Sequence, residues 1–214
     1  NKPYRVPPIL RDEVDRQINE MFEAGIIARS TSPIAHPLVC VLKSDNSVRL
    51  CSDNRYINAL TEVDAFPMQN LEECLDRVGA ANYITALDCT SGYWQIPVHE
   101  DSQHLTTFVS HSGAWKFLRM NFGLRNAAAT YQRAMEKILR PHSKYASAYI
   151  DDISIYSILW REHLIHLDAV LQTIEDSGFK LRVSKCKFAQ KQIKLLGMIV
   201  GSGERRVDST KVEA

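Results

Sequence analysis

Long apolar runs are missing from this sequence, and so are the usual marks of a membrane-targeted or disulfide-bonded protein. No stretch approaches the roughly 20 consecutive apolar residues that cross a bilayer, and no signal peptide is recognisable. The five cysteines are odd in number, widely spaced and free of C-x-x-C pairs. This argues against a disulfide framework and a cysteine zinc site, and it favours a reducing compartment. We expect no membrane partner.

A large excess of charge of either sign is also absent. The formal net charge of +1 over 214 residues argues against a uniformly basic nucleic-acid binder. The charges are unevenly distributed, since residues 179–214 contain nine Lys or Arg against three Asp or Glu, whereas Arg77 is the only Lys or Arg in residues 62–101. A polyanion would prefer the former segment, although lysines that merely solvate one face give the same pattern.

The length allows one large domain or two closely packed subdomains. Because the chain begins at Asn1 and ends in what resembles the start of a helix, we expect it to be a piece of a longer protein. Apolar residues at helical spacing predict a helix around residues 10–24. A hairpin is predicted where the two apolar runs "PLVCVL" and "VRLCS" follow each other. Further predicted elements are the strands "NYITALD" and "IKLLGMIV" and the helices "NAAATYQRAMEKIL", with Asn126 as its N-cap, and "REHLIHLDAVLQTIEDSG". Strands and helices mix without strict alternation, which favours the α+β class.

Two adjacent acids lie in the stretch "AYIDDISIY", within a run of β-branched and aromatic residues. Neighbouring side chains of a strand point to opposite faces, so one acid of a continuous strand would face the core, where an unpaired carboxylate is costly. A β-hairpin with strands at residues 145–150 and 153–158 instead places Asp151 and Asp152 at its tip. A solvated turn is the alternative.

A third acid, Asp88, ends a predicted strand and precedes a turn into a helix, where backbone N–H groups attract phosphate oxygens. Three carboxylates from two segments suit two divalent ions that clamp a transferring phosphoryl group, and hard oxygen ligands favour Mg²⁺. The pattern therefore suggests nucleotidyl transfer. His163 and His166 have a spacing that metal ligands use, but without a nearby third ligand we favour packing or surface roles.

The sequence resembles the reverse transcriptases of Ty3/gypsy-type (Metaviridae) LTR retrotransposons nearly end to end. The resemblance rests on "YRVPPILRDEVDRQINEMFEAGII", "SPIAHPLVCVLK", "RLCSDNRYIN", "LDCTSGYWQIPV", "MNFGLRNAAATYQRAM", "YIDD" and "KCKFAQKQIKLLGMIV". It implies an α+β right-hand polymerase core whose antiparallel palm sheet packs on helices. The fingers are expected at about residues 1–60 and 103–144, and the palm at about 61–102 and 145–214. Thumb, connection and RNase H regions are expected to be absent.

The resemblance also implies a role for each matching residue. Asp88, Asp151 and Asp152 are implied as catalytic metal ligands for two Mg²⁺ ions, with Mn²⁺ as an alternative, and Asp88 and Asp151 bridge them most directly. The residues implied to bind the dNTP are Lys43, Arg49, Ser91, Gly92, Tyr93 and Phe122, of which Tyr93 would exclude a 2′-hydroxyl. Those implied to contact template or primer are Arg55, Asn58, Gly123 and Tyr149.

The implied activity is RNA-directed DNA synthesis, in which a DNA primer on an RNA or DNA template is extended with dNTPs. The implied context is a Pol polyprotein with protease, RNase H and integrase, located in cytoplasmic virus-like particles or the nucleus. Several positions depart from the family pattern, among them Leu42, Asn121 and Ala128. The alternative is therefore a domesticated or decayed, non-catalytic domain that binds nucleic acid or protein.

Overall fold

The computed structural model describes residues 4–43, 46–67 and 70–207. The helices of these residues are α1 (Arg11–Glu23), α2 (Arg55–Leu60), α3 (Leu71–Gly79), α4 (Glu100–Gln103), α5 (Ala127–Leu139) and α6 (Trp160–Asp176). The strands are β1 (Ile27–Arg29), β2 (His36–Leu42), β3 (Val48–Ser52), β4 (Tyr83–Asp88), β5 (Phe108–Ser110), β6 (Gly113–Phe117), β7 (Ala146–Tyr149), β8 (Asp152–Ser157), β9 (Lys187–Gln190), β10 (Ile193–Leu195), β11 (Met198–Gly201) and β12 (Glu204–Val207). The predicted α+β class is confirmed.

The chain is divided into two compact units, and each unit is built from two segments of the sequence. The first unit comprises Asn1–Asp64 and Tyr93–Ala127, and the second unit comprises Ala65–Gly92 and Ala128–Ala214. Both units therefore consist of residues that are distant in sequence.

The first unit is organised around a five-stranded sheet in the order β1-β6-β5-β2-β3. Strands β2 and β5 pair in parallel, whereas the other neighbours are antiparallel. Helix α1 forms as predicted, because Val14, Ile18 and Met21 recur at helical spacing and are buried. These side chains share a core with Phe108 and Trp115 of the sheet.

The second unit contains an antiparallel four-stranded sheet in the order β7-β8-β4-β9 and a three-stranded sheet in the order β10-β11-β12. Ile84 and Tyr156 of the larger sheet share a core with Leu75 and Val78 of α3 and with Val200 of β11. Helix α6 packs against β4 and β8. Strand β4 thus lies in the interior of the larger sheet, which fixes the position of its last residue, Asp88.

Two local predictions need correction. The segment "IKLLGMIV" is not one strand, since Leu196 and Gly197 have φ angles of 52° and 83° and turn the chain between β10 and β11. Asn126 precedes α5 as predicted, but its side chain bonds to a distant segment: Oδ1 accepts from the backbone N–H of Asp64, and Nδ2 donates to the carbonyl of Glu62. Among the described residues, no helix is long and apolar enough to cross a membrane.

Candidate active site

Asp88 is the last residue of β4, and it lies directly opposite Asp152 in the antiparallel pairing of β4 with β8. Directly opposed residues of an antiparallel pair project from the same face, so two carboxylates lie side by side there. Like charges in this arrangement repel each other. The ammonium group of Lys185 lies 3.9 Å from Oδ2 of Asp88 and offsets part of this repulsion.

The adjacent acids lie at a hairpin, as predicted, with Asp151 in its turn and Asp152 at the start of the following strand. Tyr149, partly buried at the end of β7, pairs with Asp152, the first residue of β8, and Ile150 and Asp151 form the turn between them. Oδ1 of Asp151 is buried and has no hydrogen-bond partner among the described residues. A Cβ atom at Gly92 would lie 2.7 Å from this oxygen, so the absence of a side chain at Gly92 leaves room for the carboxylate.

The electrostatics of the second unit show that the three acids form one cluster. Burial first, and then the charges of Asp152 and Asp88, raise the pKa of Asp151. Loss of water and the charge of Asp88 raise the pKa of Asp152, although part of its surface faces solvent. Both shifts mean that ionised carboxylates are unfavourable in this cluster unless positive charge is added.

The donor set fits divalent cations with hard oxygen ligands. Within the described part of the chain, no three His, Cys, Asp or Glu side chains enclose a single ion. Mg²⁺ does not require such a cage, because one or two carboxylates commonly hold it together with water and substrate phosphates. The buried Oδ1 of Asp151, which has no hydrogen-bond partner among the described residues, is an oxygen of the type that such an ion prefers.

Two other implied residues lie beside the cluster in the second unit. Ser91 has a φ of 49°, and Gly92 is buried at the start of a short 3₁₀ helix. Both follow Asp88 closely in the chain, so the turn that carries them is anchored to the end of β4.

Lys43 and Arg49 lie at the β2–β3 hairpin of the first unit. Arg49 pairs with Val41, and the backbone N–H of Lys43 donates to the carbonyl of Ser47. Alternation along the strands therefore places Lys43 and Arg49 on the same face. Both side chains are exposed, so this face of the hairpin carries two cations.

Tyr93 and Phe122 contact each other within the first unit, with ring centroids 5.1 Å apart. Trp94 approaches Phe122 edge-on with a centroid distance of 6.1 Å. Phe122 nevertheless remains 45% exposed, so its ring is available to a ligand.

The residues implied to meet the template have different surroundings. Arg55 forms an ion pair with Asp53, with Nη2 and Oδ2 2.6 Å apart, and this interaction lowers the pKa of Asp53 strongly. Asn58 donates to the carbonyl of Gly123 and accepts from the backbone N–H of Arg125. Asn58 thus ties α2 to the loop that contains Gly123.

A residue that the sequence did not indicate also contacts the hairpin. Gln132 of α5 is fully buried, and its amide bonds to the backbone of Ala148 and Ile150. A glutamine within an alanine-rich helix gives no sequence signal for this role. The packing interpretation of His163 is confirmed, since it is fully buried and bonds to the hydroxyls of Thr85 and Ser157.

The fold belongs to a known class. The fold is similar to that of a foamy viral protease-reverse transcriptase in complex with an RNA/DNA hybrid, with a TM-score of 0.90 and 22% identity. The match covers 98% of this chain and 28% of that chain. The fold is thus that of the fingers and palm of a retroviral reverse transcriptase.

Sequence relatives give the family. Residues 41–200 match the family described as reverse transcriptase (RNA-dependent DNA polymerase), and the chain belongs to this family. It is 37% identical to the retrovirus-related Pol polyprotein from transposon 297 of Drosophila melanogaster, over 100% of the chain and 21% of the polyprotein. It is 33% identical to the Pol polyprotein from transposon gypsy of the same organism, over 95% of the chain and 20% of that polyprotein. The chain thus spans about a fifth of the length of these relatives.

Proposed function

We propose that this chain is an RNA-directed DNA polymerase that extends a DNA primer with dNTPs on an RNA or DNA template. The single observation that best supports the proposal is the buried Oδ1 of Asp151, which has no hydrogen-bond partner in the described part of the chain and lies near the opposed pair Asp88 and Asp152. Three carboxylates that repel one another destabilise the fold. Such an arrangement is expected where bound cations and reacting phosphates complete the site.

The proposed cofactor is a pair of Mg²⁺ ions, for which Mn²⁺ can substitute. When bound, they lower the pKa of the primer 3′-hydroxyl and stabilise the charge on the leaving pyrophosphate. Asp88 and Asp151 would hold the two ions, and Asp152 would assist. Asp88 and Asp152 belong to paired strands, so their Cα positions are fixed by backbone hydrogen bonds before substrate binds.

We assign the dNTP-binding role to Lys43, Arg49, Ser91, Gly92, Tyr93 and Phe122. Arg49 suits the triphosphate because a guanidinium pairs bidentately with phosphate oxygens. The packing of Tyr93 against Phe122 supports a role for Tyr93 in excluding a 2′-hydroxyl, because a ring held in place cannot move aside freely. Arg55, Asn58, Gly123 and Tyr149 are assigned to template and primer, with Asn58 acting through the loop of Gly123.

We further assign the fingers to the first unit and the palm to the second unit. The expected boundaries near residues 60, 102 and 144 then move to residues 64, 92 and 127. By analogy with the Pol polyproteins, the chain would act together with thumb, connection, protease, RNase H and integrase regions. Its site of action would be cytoplasmic virus-like particles or the nucleus.

Primer extension on an RNA template with Mg²⁺ tests the proposal. Asp151→Asn keeps the side-chain shape but removes a charged ligand, and it should slow extension by roughly three orders of magnitude. Asp176→Asn, which changes an exposed acid at the end of α6, is the matched control and should extend like the parent. Equal extension by parent and Asp151→Asn would overturn the catalytic proposal. Duplex binding without extension by either protein would favour the non-catalytic alternative.

A further inference from the structure

The turn that presents Asp151 has an unfavourable backbone conformation. Ile150 has a φ of +52°, although it is a β-branched residue. Positive φ is a genuine outlier for such residues, and the surrounding structure must hold them there. Since only Ile150 and Asp151 lie between the paired residues Tyr149 and Asp152, any relaxation of Ile150 would move Asp151.

Gln132 of α5 holds this turn directly. Its Oε1 accepts a 2.8 Å hydrogen bond from the backbone N–H of Ile150, and its Nε2 donates a 2.9 Å bond to the carbonyl of Ala148. One side chain therefore hydrogen-bonds both to Ala148, near the end of β7, and to the strained residue Ile150. Gln132 is fully buried, so water cannot replace it in this position.

A second side chain fixes the orientation of the amide. Nε2 of Gln132 also donates to a carboxylate oxygen of Glu136, one helical turn later, at 3.0 Å. With Nε2 facing the carboxylate and the carbonyl of Ala148, Oε1 must face the N–H of Ile150. The reversed amide would place oxygen against oxygen at two contacts and N–H against N–H at the third.

We propose that Gln132, oriented by Glu136, is a positioning residue that fixes the Ile150–Asp151 turn and thereby the carboxylate of Asp151. The part of this inference that concerns catalysis rests on the proposed polymerase function, whereas the part that concerns the turn does not. Gln132 is fully buried and its hydrogen bonds go to Ala148, Ile150 and Glu136, so its effect should appear in the rate of the chemical step rather than in substrate binding.

Gln132→Met tests the inference, because Met retains the length and shape of Gln but forms none of the three hydrogen bonds. By hydrogen-exchange NMR, the amide of Ile150 should exchange about tenfold faster or more, as expected for loss of a buried bond. In primer extension, kcat should fall about tenfold or more, while KM for dNTP changes less than about threefold. The control is Gln172→Met, since Gln172 also donates to an acid four residues later, at 2.9 Å, but is exposed on α6.

Two further variants decide the outcome if Gln132→Met does not fold. Glu136→Ala removes only the partly exposed carboxylate, and it should speed exchange at Ile150 and lower kcat by a smaller factor, about twofold to tenfold. Ile150→Gly relieves the strained φ, so adding Glu136→Ala to Ile150→Gly should lower kcat less than Glu136→Ala does in the parent.

Parent-like exchange at Ile150 in Gln132→Met, or in Glu136→Ala where Gln132→Met does not fold, would overturn the inference. An activity loss that only follows the fraction of folded protein would overturn its catalytic part. If the parent itself does not extend primers, the polymerase proposal fails, while the exchange measurement still decides whether Gln132 fixes the turn.

Discussion

Asp151 and Asp152 of the second unit are expected to make the stability of the fold depend on pH. The pKa values of Asp151 and Asp152 are raised above their ordinary value of 3.8, mainly by burial and then by neighbouring acids. The folded state therefore binds more protons than the unfolded state between the ordinary and the raised values. Stability falls as the pH rises through that window, and above it the ionised cluster destabilises the fold. A cation bound by the cluster would reverse this loss.

Thermal unfolding with and without Mg²⁺ tests this relation. In EDTA at neutral pH, Asp151→Asn should unfold at a higher temperature than the parent, by roughly 2–4 °C for each kcal/mol of unfavourable free energy that is removed. Mg²⁺ should raise the Tm of the parent and that of Asp151→Asn much less, because a ligand stabilises only the state that binds it. The exposed variant Asp176→Asn should respond to Mg²⁺ like the parent. Identical Mg²⁺ responses of parent and Asp151→Asn would contradict a metal role for Asp151.

The close packing around Gly92 leads to a second prediction for a single residue. A methyl group there would lie 2.7 Å from Oδ1 of Asp151 and 3.0 Å from the hydroxyl of Tyr131, both closer than atoms normally approach. Gly92→Ala should displace the carboxylate and lower kcat for primer extension by about tenfold or more, as expected for a misplaced charged group. Gly79→Ala is the control, since among the described residues its added methyl would meet only the carbonyl of Glu204, at 3.9 Å. Parent-like kcat in Gly92→Ala would show that Asp151 tolerates displacement.

At the scale of elements, the β7–β8 hairpin shows what a sequence can predict. The position of the adjacent acids at a tip followed from the cost of a buried carboxylate, and the predicted strands at residues 145–150 and 153–158 compare with Ala146–Tyr149 and Asp152–Ser157. The difference of one residue at Asp152 arises because this acid can pair with Asp88 at the end of the sheet without entering the core. The hairpin tip could thus be predicted from the sequence, whereas the burial of Oδ1 of Asp151 at that tip could not.

Contacts between distant segments could not be predicted in this way. Gln132 and Ile150 lie on different elements, and neither helix propensity nor hydrophobic periodicity indicates that an amide of α5 binds a strained turn. The side chain of Asn126 likewise bonds to residues 62 and 64 instead of the first turn of α5. Tertiary hydrogen bonds decided these cases, and local sequence carries no signal for them.

Helix α6 is joined to the sheet by a buried polar network, which predicts a pH dependence. His163 lies between Thr85 of β4 and Ser157 of β8, and burial, followed by the charge of His166, lowers its pKa below the ordinary 6.5. Well above pH 6.5 the imidazole is neutral in both the folded and the unfolded state, and the network is intact. As the pH falls below 6.5, the unfolded state takes up the proton first, so stability is lost.

Urea unfolding from pH 7.5 to 5.5 measures this loss. His163→Asn should weaken the pH dependence of the free energy of unfolding, although burial of a smaller side chain lowers stability at all pH values. His99→Asn, which replaces a histidine whose side chain is 78% exposed, is the control. If His163→Asn lost stability on acidification as steeply as the parent, the network would not be the titrating element.

At the scale of the whole molecule, the charges are unevenly distributed along the chain, and the small net charge does not reveal this. The net charge is +1, yet residues 179–214 carry nine Lys or Arg against three Asp or Glu. Within the described part of this segment, Lys187 of β9 and Arg206 of β12 are exposed. A nucleic acid bound by this chain should therefore be attracted by a local basic segment and not by the protein as a whole.

Salt titration of duplex binding tests this distribution. Each engaged phosphate contributes about 0.9 to the slope of log K against log salt, so a chain that engages few phosphates should bind weakly and lose affinity steeply with salt. Lys187→Ala with Arg206→Ala should reduce the slope by up to about 2, one counterion for each cation that meets a phosphate. Arg16→Ala is the control, because the guanidinium of Arg16 in α1 is already paired with Glu13 and Glu20. A phosphate contact cannot form without releasing counterions. An unchanged slope in the double variant, or tight binding that salt does not weaken, would therefore show that the basic segment is not the surface that binds nucleic acid.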